Sequence, residues 1–118
     1  MRKIESQVGS DCIEFVPRTN EQTFILIDGT QGGCYSWVGM QQRAGGQVVS
    51  LSTRGCMYKG IIMHELLHAV GFHHEQNRPD RDNYLNIYIQ NVQSGMEHNF
   101  DLMTSTVDTQ GKITLDWF

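Results

Sequence analysis

Residues 64–75 read His-Glu-Leu-Leu-His-Ala-Val-Gly-Phe-His-His-Glu. His64 and His68 are four positions apart, so on a helix both imidazoles project from one face. A zinc ion draws two of its ligands from such an arrangement. Glu65 lies between them in sequence and can reach a water in the same place. Gly71 tolerates a positive φ, so it can end the helix and turn the chain back. That turn would deliver His74 as a third ligand. Three imidazoles and one open coordination position are the plan of a catalytic zinc site, whereas closed structural sites fill all four positions. Zinc at such a site brings water to a useful pKa and polarises a carbonyl. Glu65 is then the candidate general base for that water. His64, His68 and His74 must be neutral to bind, so metal affinity is expected to fall below about pH 6.

His73 and His98 are the other two histidines of the chain. His73 adjoins His74 and could replace it, although the offset from Gly71 favours His74. His98 lies far from the motif and reads as a surface residue. A plain helix with surface histidines is the competing explanation of the whole motif. Against it, Ile62, Met63, Leu66, Leu67 and Val70 recur near the helical period and can pack on a core. The expected helix covers residues 58–70 and presents His64 and His68 to a cleft.

Other elements must hold that helix. Met1, Ile4 and Val8 have helical spacing and are followed by Gly9, which reads as the tail of a helix. Ile13 and Phe15 alternate with Glu14 and suit a strand ended by Pro17. A β-branched and apolar run at 23–27, closed by Asp28-Gly29, suits a buried strand. Gly32-Gly33 opens a third strand near 35–38. After the Gly45-Gly46 turn signal, 47–52 reads as a fourth. Residues 84–89 alternate again, Leu85, Ile87 and Ile89 against Asn86 and Tyr88. The run Arg78-Pro79-Asp80-Arg81-Asp82 reads either as a solvated turn or as a clamp on the loop carrying His74.

With 118 residues the chain is one domain at most. It is 39% hydrophobic and 19% charged, a globular composition, and a net charge of −4 gives no reason to expect nucleic acid. The longest apolar run, 24–27, is far too short to span a membrane, and no apolar segment of signal-peptide type follows the basic start. Three cysteines, an odd count, read alone as ordinary thiols.

The run at 64–85, HELLHAVGFHHEQNRPDRDNYL, closely resembles the astacin family of secreted zinc endopeptidases, a branch of the metzincins. It keeps every defined position of the pattern HExxHxxGFxHExxRxDRD. The segments at 12–18, 33–39, 47–51 and 91–101 extend the likeness. The resemblance implies an α+β fold, a twisted mixed sheet of about four to five strands packed on the zinc-binding helix. It implies one zinc ion per chain, a protein or peptide substrate and a secreted protein. It also implies that Cys34 pairs with Cys56, while the family partner of Cys12 is a cysteine near the domain's C-terminus. Cys34 and Cys56 flank an expected hairpin, and closing that loop would stabilise the fold by about 3 kcal/mol. The family aligns substrate along a strand edge, placed here at Val48, Val49, Ser50 and Leu51; an ordinary edge strand is the plainer reading.

The family's tight methionine turn, Ser-x-Met-His-Tyr, does not occur here. The expectation is therefore that 1–118 is the N-terminal subdomain of a catalytic domain, with active-site helix and without the C-terminal subdomain. A zinc-binding segment without catalysis, or an interaction module, is the competing function.

Overall fold

Val49 and Ser50 are fully shielded from water, and the fold is organised around them. The computed structural model describes residues 1–9, 12–41 and 45–103. Its elements are helix α1 (Arg2–Val8), strands β1 (Ile25–Asp28), β2 (Cys34–Ser36) and β3 (Gln47–Leu51), and helix α2 (Lys59–Ala69). Single 3-10 turns follow at Glu75–Asn77, Arg81–Asn83, Ile89–Asn91 and Glu97–Phe100. The chain divides into two compact units, Met1–Phe72 and His73–Phe118.

The first unit contains a mixed sheet of three strands in the order β1-β3-β2. β1 runs parallel to β3, with Ile27 opposite Val49 and Asp28 opposite Ser50. β2 runs antiparallel to it, with Ser36 opposite Val49 and Tyr35 opposite Ser50. A strand hydrogen-bonded on both sides is dry, and the valine-rich sequence of β3 suits that position.

α2 is covered on more than one side. Val49 and Leu51 of the sheet pack with Cys56 and with Ile61, Ile62 and Ala69 of the helix. Met63 and Leu66 pack with Ile4 of α1 and with Phe15. The expected single apolar stripe is thus too narrow a description, since Glu65 and His68 are buried as well. Leu66 is 1% exposed. Leu66→Ala should cost about 3 kcal/mol, the removed methyl groups plus the cavity they leave. A shift in denaturant midpoint at unchanged slope would measure it.

The Cys34–Cys56 disulfide is formed, with Cα atoms 5.7 Å apart. It fastens the start of β2 to the segment that enters α2. Cys12 is exposed.

Two expectations need correction. The sheet has three strands among the described residues, not four to five. Residues 13–17 form no strand. Ile13 and Phe15 do alternate in burial with exposed Glu14, but the Phe15 N–H donates to the Glu5 carboxylate (2.8 Å) and has no ladder partner. The alternation at 84–89 likewise leaves Leu85 and Ile87 half-buried without forming a strand, and Ile89 is exposed in a 3-10 turn. Alternation sets which side of an extended chain is covered; a strand also needs a neighbour.

Candidate metal centre

α2 ends in a turn that glycine makes possible. Gly71 has φ +110°. Its N–H donates to the His68 carbonyl (2.9 Å), and the Phe72 N–H donates to the Leu67 carbonyl (3.0 Å). Those two bonds are a Schellman closure, which satisfies carbonyls that the helix end leaves open. The turn brings the Phe72 carbonyl under the helix, 2.7 Å from His68 Nδ1. A carbonyl can only accept, so Nδ1 carries the proton and Nε2 of the neutral ring keeps its lone pair.

That lone pair faces His64, whose Nε2 is 2.9 Å away. The rings stand nearly perpendicular, at 82°, with centroids 4.4 Å apart. One ligand atom from each of His64, His68 and His74 lies within 4.8 Å of the others. Nitrogens bound at 2.0–2.1 Å to a tetrahedral ion stand about 3.3 Å from each other. The observed spacings bracket that value, and neutral imidazole nitrogens are ordinary zinc donors, so the residues fit the ion. His68 is buried, His64 half-buried and His74 exposed. His73 and His98 are exposed, and His98 Nδ1 lies 3.1 Å from the Gly95 carbonyl.

Glu65 is 6% exposed and shares α2 with both histidines. Burial pushes its carboxyl above the usual carboxylate range, and nearby His68 partly opposes the shift. A carboxylate with raised proton affinity is a better proton acceptor near neutral pH.

The charged run after His74 is a clamp. Arg78 and Arg81 are buried. The Arg78 guanidinium grips Asp80 through Nε and Nη2 (both 2.9 Å) and reaches Glu75 through Nη1 (3.3 Å). Arg81 Nη1 donates to the Gln76 carbonyl (2.7 Å) and to the Phe100 carbonyl. Asn77 Nδ2 donates to the Asn99 and Asp101 carbonyls (both 2.8 Å). The hydrogen bonds from Arg78 hold the Asp80 carboxyl below its ordinary value of 3.8. A depressed carboxyl contributes stability that is present above its unfolded pKa and lost as pH falls through the folded one. Arg78→Ala should therefore lower the thermal midpoint at neutral pH and flatten its fall on acidification below about pH 4. Thermal melts across that range would register both effects.

The expected substrate strand needs correction. Val48, Val49, Ser50 and Leu51 belong to the middle strand, paired with β1 on one side and β2 on the other. Val49, Ser50 and Leu51 are buried, so β3 has no edge to offer a peptide. Among the described residues β1 and β2 are the outer strands. The Phe72 carbonyl is not legible in the sequence, because its role belongs to the backbone and leaves no trace in side-chain type.

The family model Astacin, which describes a peptidase family, matches residues 1–117. High choriolytic enzyme 2 of Oryzias latipes is 50% identical over 93 residues, which cover 79% of this chain and 32% of that protein. Meprin A subunit alpha of Rattus norvegicus is 46% identical over 90 residues, 76% of this chain and 12% of that one. Among solved structures, high choriolytic enzyme 1, a hatching enzyme zinc-protease from Oryzias latipes, superposes with a TM-score of 0.73 at 45% identity. That match covers 85% of this chain and 48% of that structure. The chain thus spans less than half of either choriolytic enzyme it matches.

Proposed function

Because this chain belongs to the astacin family of peptidases, we propose that it carries the metal ligands and the general base of a zinc-dependent endopeptidase. The observation that carries this reading is the convergence of His64, His68 and His74 within 4.8 Å, with buried Glu65 on the helix that bears two of them. When bound, zinc supplies Lewis acidity, lowering the pKa of water to about 7 and polarising a peptide carbonyl. His64, His68 and His74 would hold it. The Phe72 carbonyl fixes the tautomer of His68, which keeps Nε2 available as a donor. Glu65 takes the proton from the attacking water and hands it to the leaving nitrogen. Its buried setting favours the protonated form that exists between these two transfers.

A peptide substrate would extend the sheet at β2, which is an outer strand among the described residues and packs against α2. Protection of amide exchange at Cys34–Ser36 by a bound peptide is the expected outcome; unchanged exchange there would reject β2. The Cys34–Cys56 disulfide fits an oxidising compartment and supports a secreted protein. No described helix is long and apolar enough to cross a membrane.

Hydrolysis of denatured casein, abolished by a chelator and restored by zinc, tests the reading. Stoichiometric zinc uptake without hydrolysis would leave the chain a zinc-binding segment. Absence of zinc uptake would remove the basis of both.

A further inference from the structure

We propose that Gln47 is a positioning residue for the metal centre, acting through the 38–41 loop on the C-terminal turn of α2. The inference rests on the zinc reading above. Gln47 opens β3 but is 6% exposed, unusual for a long amide with no charge partner. Both ends of its side chain are committed. Oε1 accepts from the Gln41 N–H (2.8 Å), and Nε2 donates to the Gly39 carbonyl (3.1 Å). A backbone N–H can only donate and a carbonyl can only accept, so only this orientation of the amide satisfies both. Gln41 Nε2 adds a donation to the Val38 carbonyl (2.9 Å) and a longer one to that of Gly39 (3.4 Å). The loop is thus braced from the sheet.

The braced loop in turn holds the helix end. The Gly39 N–H donates to the His68 carbonyl (2.8 Å), the same oxygen that accepts from Gly71. A β-carbon on Gly39 would stand 3.9 Å from the Gly71 Cα, so the two backbones run close together. Gly39 has φ +71° and Gly71 φ +110°, conformations that suit glycine. The turn gripped in this way supplies the carbonyl that fixes the His68 ring. A continuous chain of hydrogen bonds therefore runs from a buried amide in β3 to a ligand of the proposed metal. Partners one step removed from a metal typically alter affinity 10–100-fold when removed, and a more remote brace belongs at the lower end.

The test compares the full chain with Gln47→Met, which preserves length and loses both hydrogen bonds. Gln41→Ala is a milder change that removes only the loop's own brace. Val48→Ala is a control in the same strand, outside the cluster that packs on α2. Zinc affinity is measured by competition with a chromophoric chelator, and the His68 ring signals are followed by NMR in metal-free protein. Gln47→Met should bind zinc about tenfold more weakly and shift the His68 Nδ1–H signal. Gln41→Ala should change both in the same direction by less, and serves as the readout should Gln47→Met not fold. Val48→Ala should leave both close to wild type while lowering stability. Equal affinity and unmoved His68 signals in the Gln47 and Gln41 variants would overturn the proposal, as would equal losses in the control. A wild-type chain that takes up no zinc would overturn the underlying reading and the proposal together, whereas normal uptake by every variant would overturn the proposal alone.

Discussion

Glu65→Ala is expected to bind zinc with nearly wild-type affinity and to lose about a thousandfold or more in hydrolytic rate, within the range for general-base removal. The side chain lies on the same helix as His64 and His68 and is buried, so its removal deletes the proton acceptor and leaves the imidazoles in place. The metal-free variant has a second signature. Burial raises the Glu65 carboxyl from its ordinary 4.5. A raised carboxyl contributes stability that is complete below the unfolded pKa and is lost as pH rises through the folded value. Glu65→Gln should abolish that loss, so the variant gains stability relative to wild type above about pH 5 and not below about pH 4. Loss of zinc from Glu65→Ala, or retained hydrolysis, would contradict the role assigned to Glu65.

His74→Ala is expected to weaken zinc binding by more than about 100-fold, since loss of a ligand exceeds the effect of losing a ligand's outer partner. His73→Ala should bind normally. The contrast is sharp because the two residues are neighbours, yet His74 is the one whose ring nitrogen lies within 4.8 Å of those of His64 and His68. Metal binding competes with protons for imidazole nitrogens, so affinity should also fall steeply on acidification below about pH 6. Equilibrium dialysis with metal analysis at several pH values measures both. Equal losses from the two substitutions would move the third ligand to His73 or dissolve the assignment.

The histidine triad and its helix are legible because they are local in sequence. A spacing of four fixes a helical face, and Gly71 reports a turn whose geometry few other residues accept. The order of strands was not legible in the same way. β1 pairs with β3 although β2 lies between them in sequence, a non-local choice that hydrophobic pattern does not encode, and so a middle strand reads as an edge. The alternation at Ile13 and Phe15 was real in burial and misleading as to pairing. Arg78 and Arg81 illustrate a further limit. A run of charges reads equally as solvated or as clamped until the carboxylates and carbonyls around it are known. Gln47 is the sharpest case, because its importance rests on two backbone groups in a loop that ordinary patterning treats as filler.

The proposed ligands all lie between His64 and His74, a single short reach of chain. Chelation there closes only small loops, so its entropic cost is low and it does not wait for distant strands to meet. An ion gripping this stretch would oppose the nucleation penalty that keeps an isolated helix of this length mostly unfolded. Zinc present during refolding should therefore speed the appearance of helical signal before the sheet and the Cys34–Cys56 crosslink are in place. The order of assembly, as well as the finished fold, would then depend on metal supply.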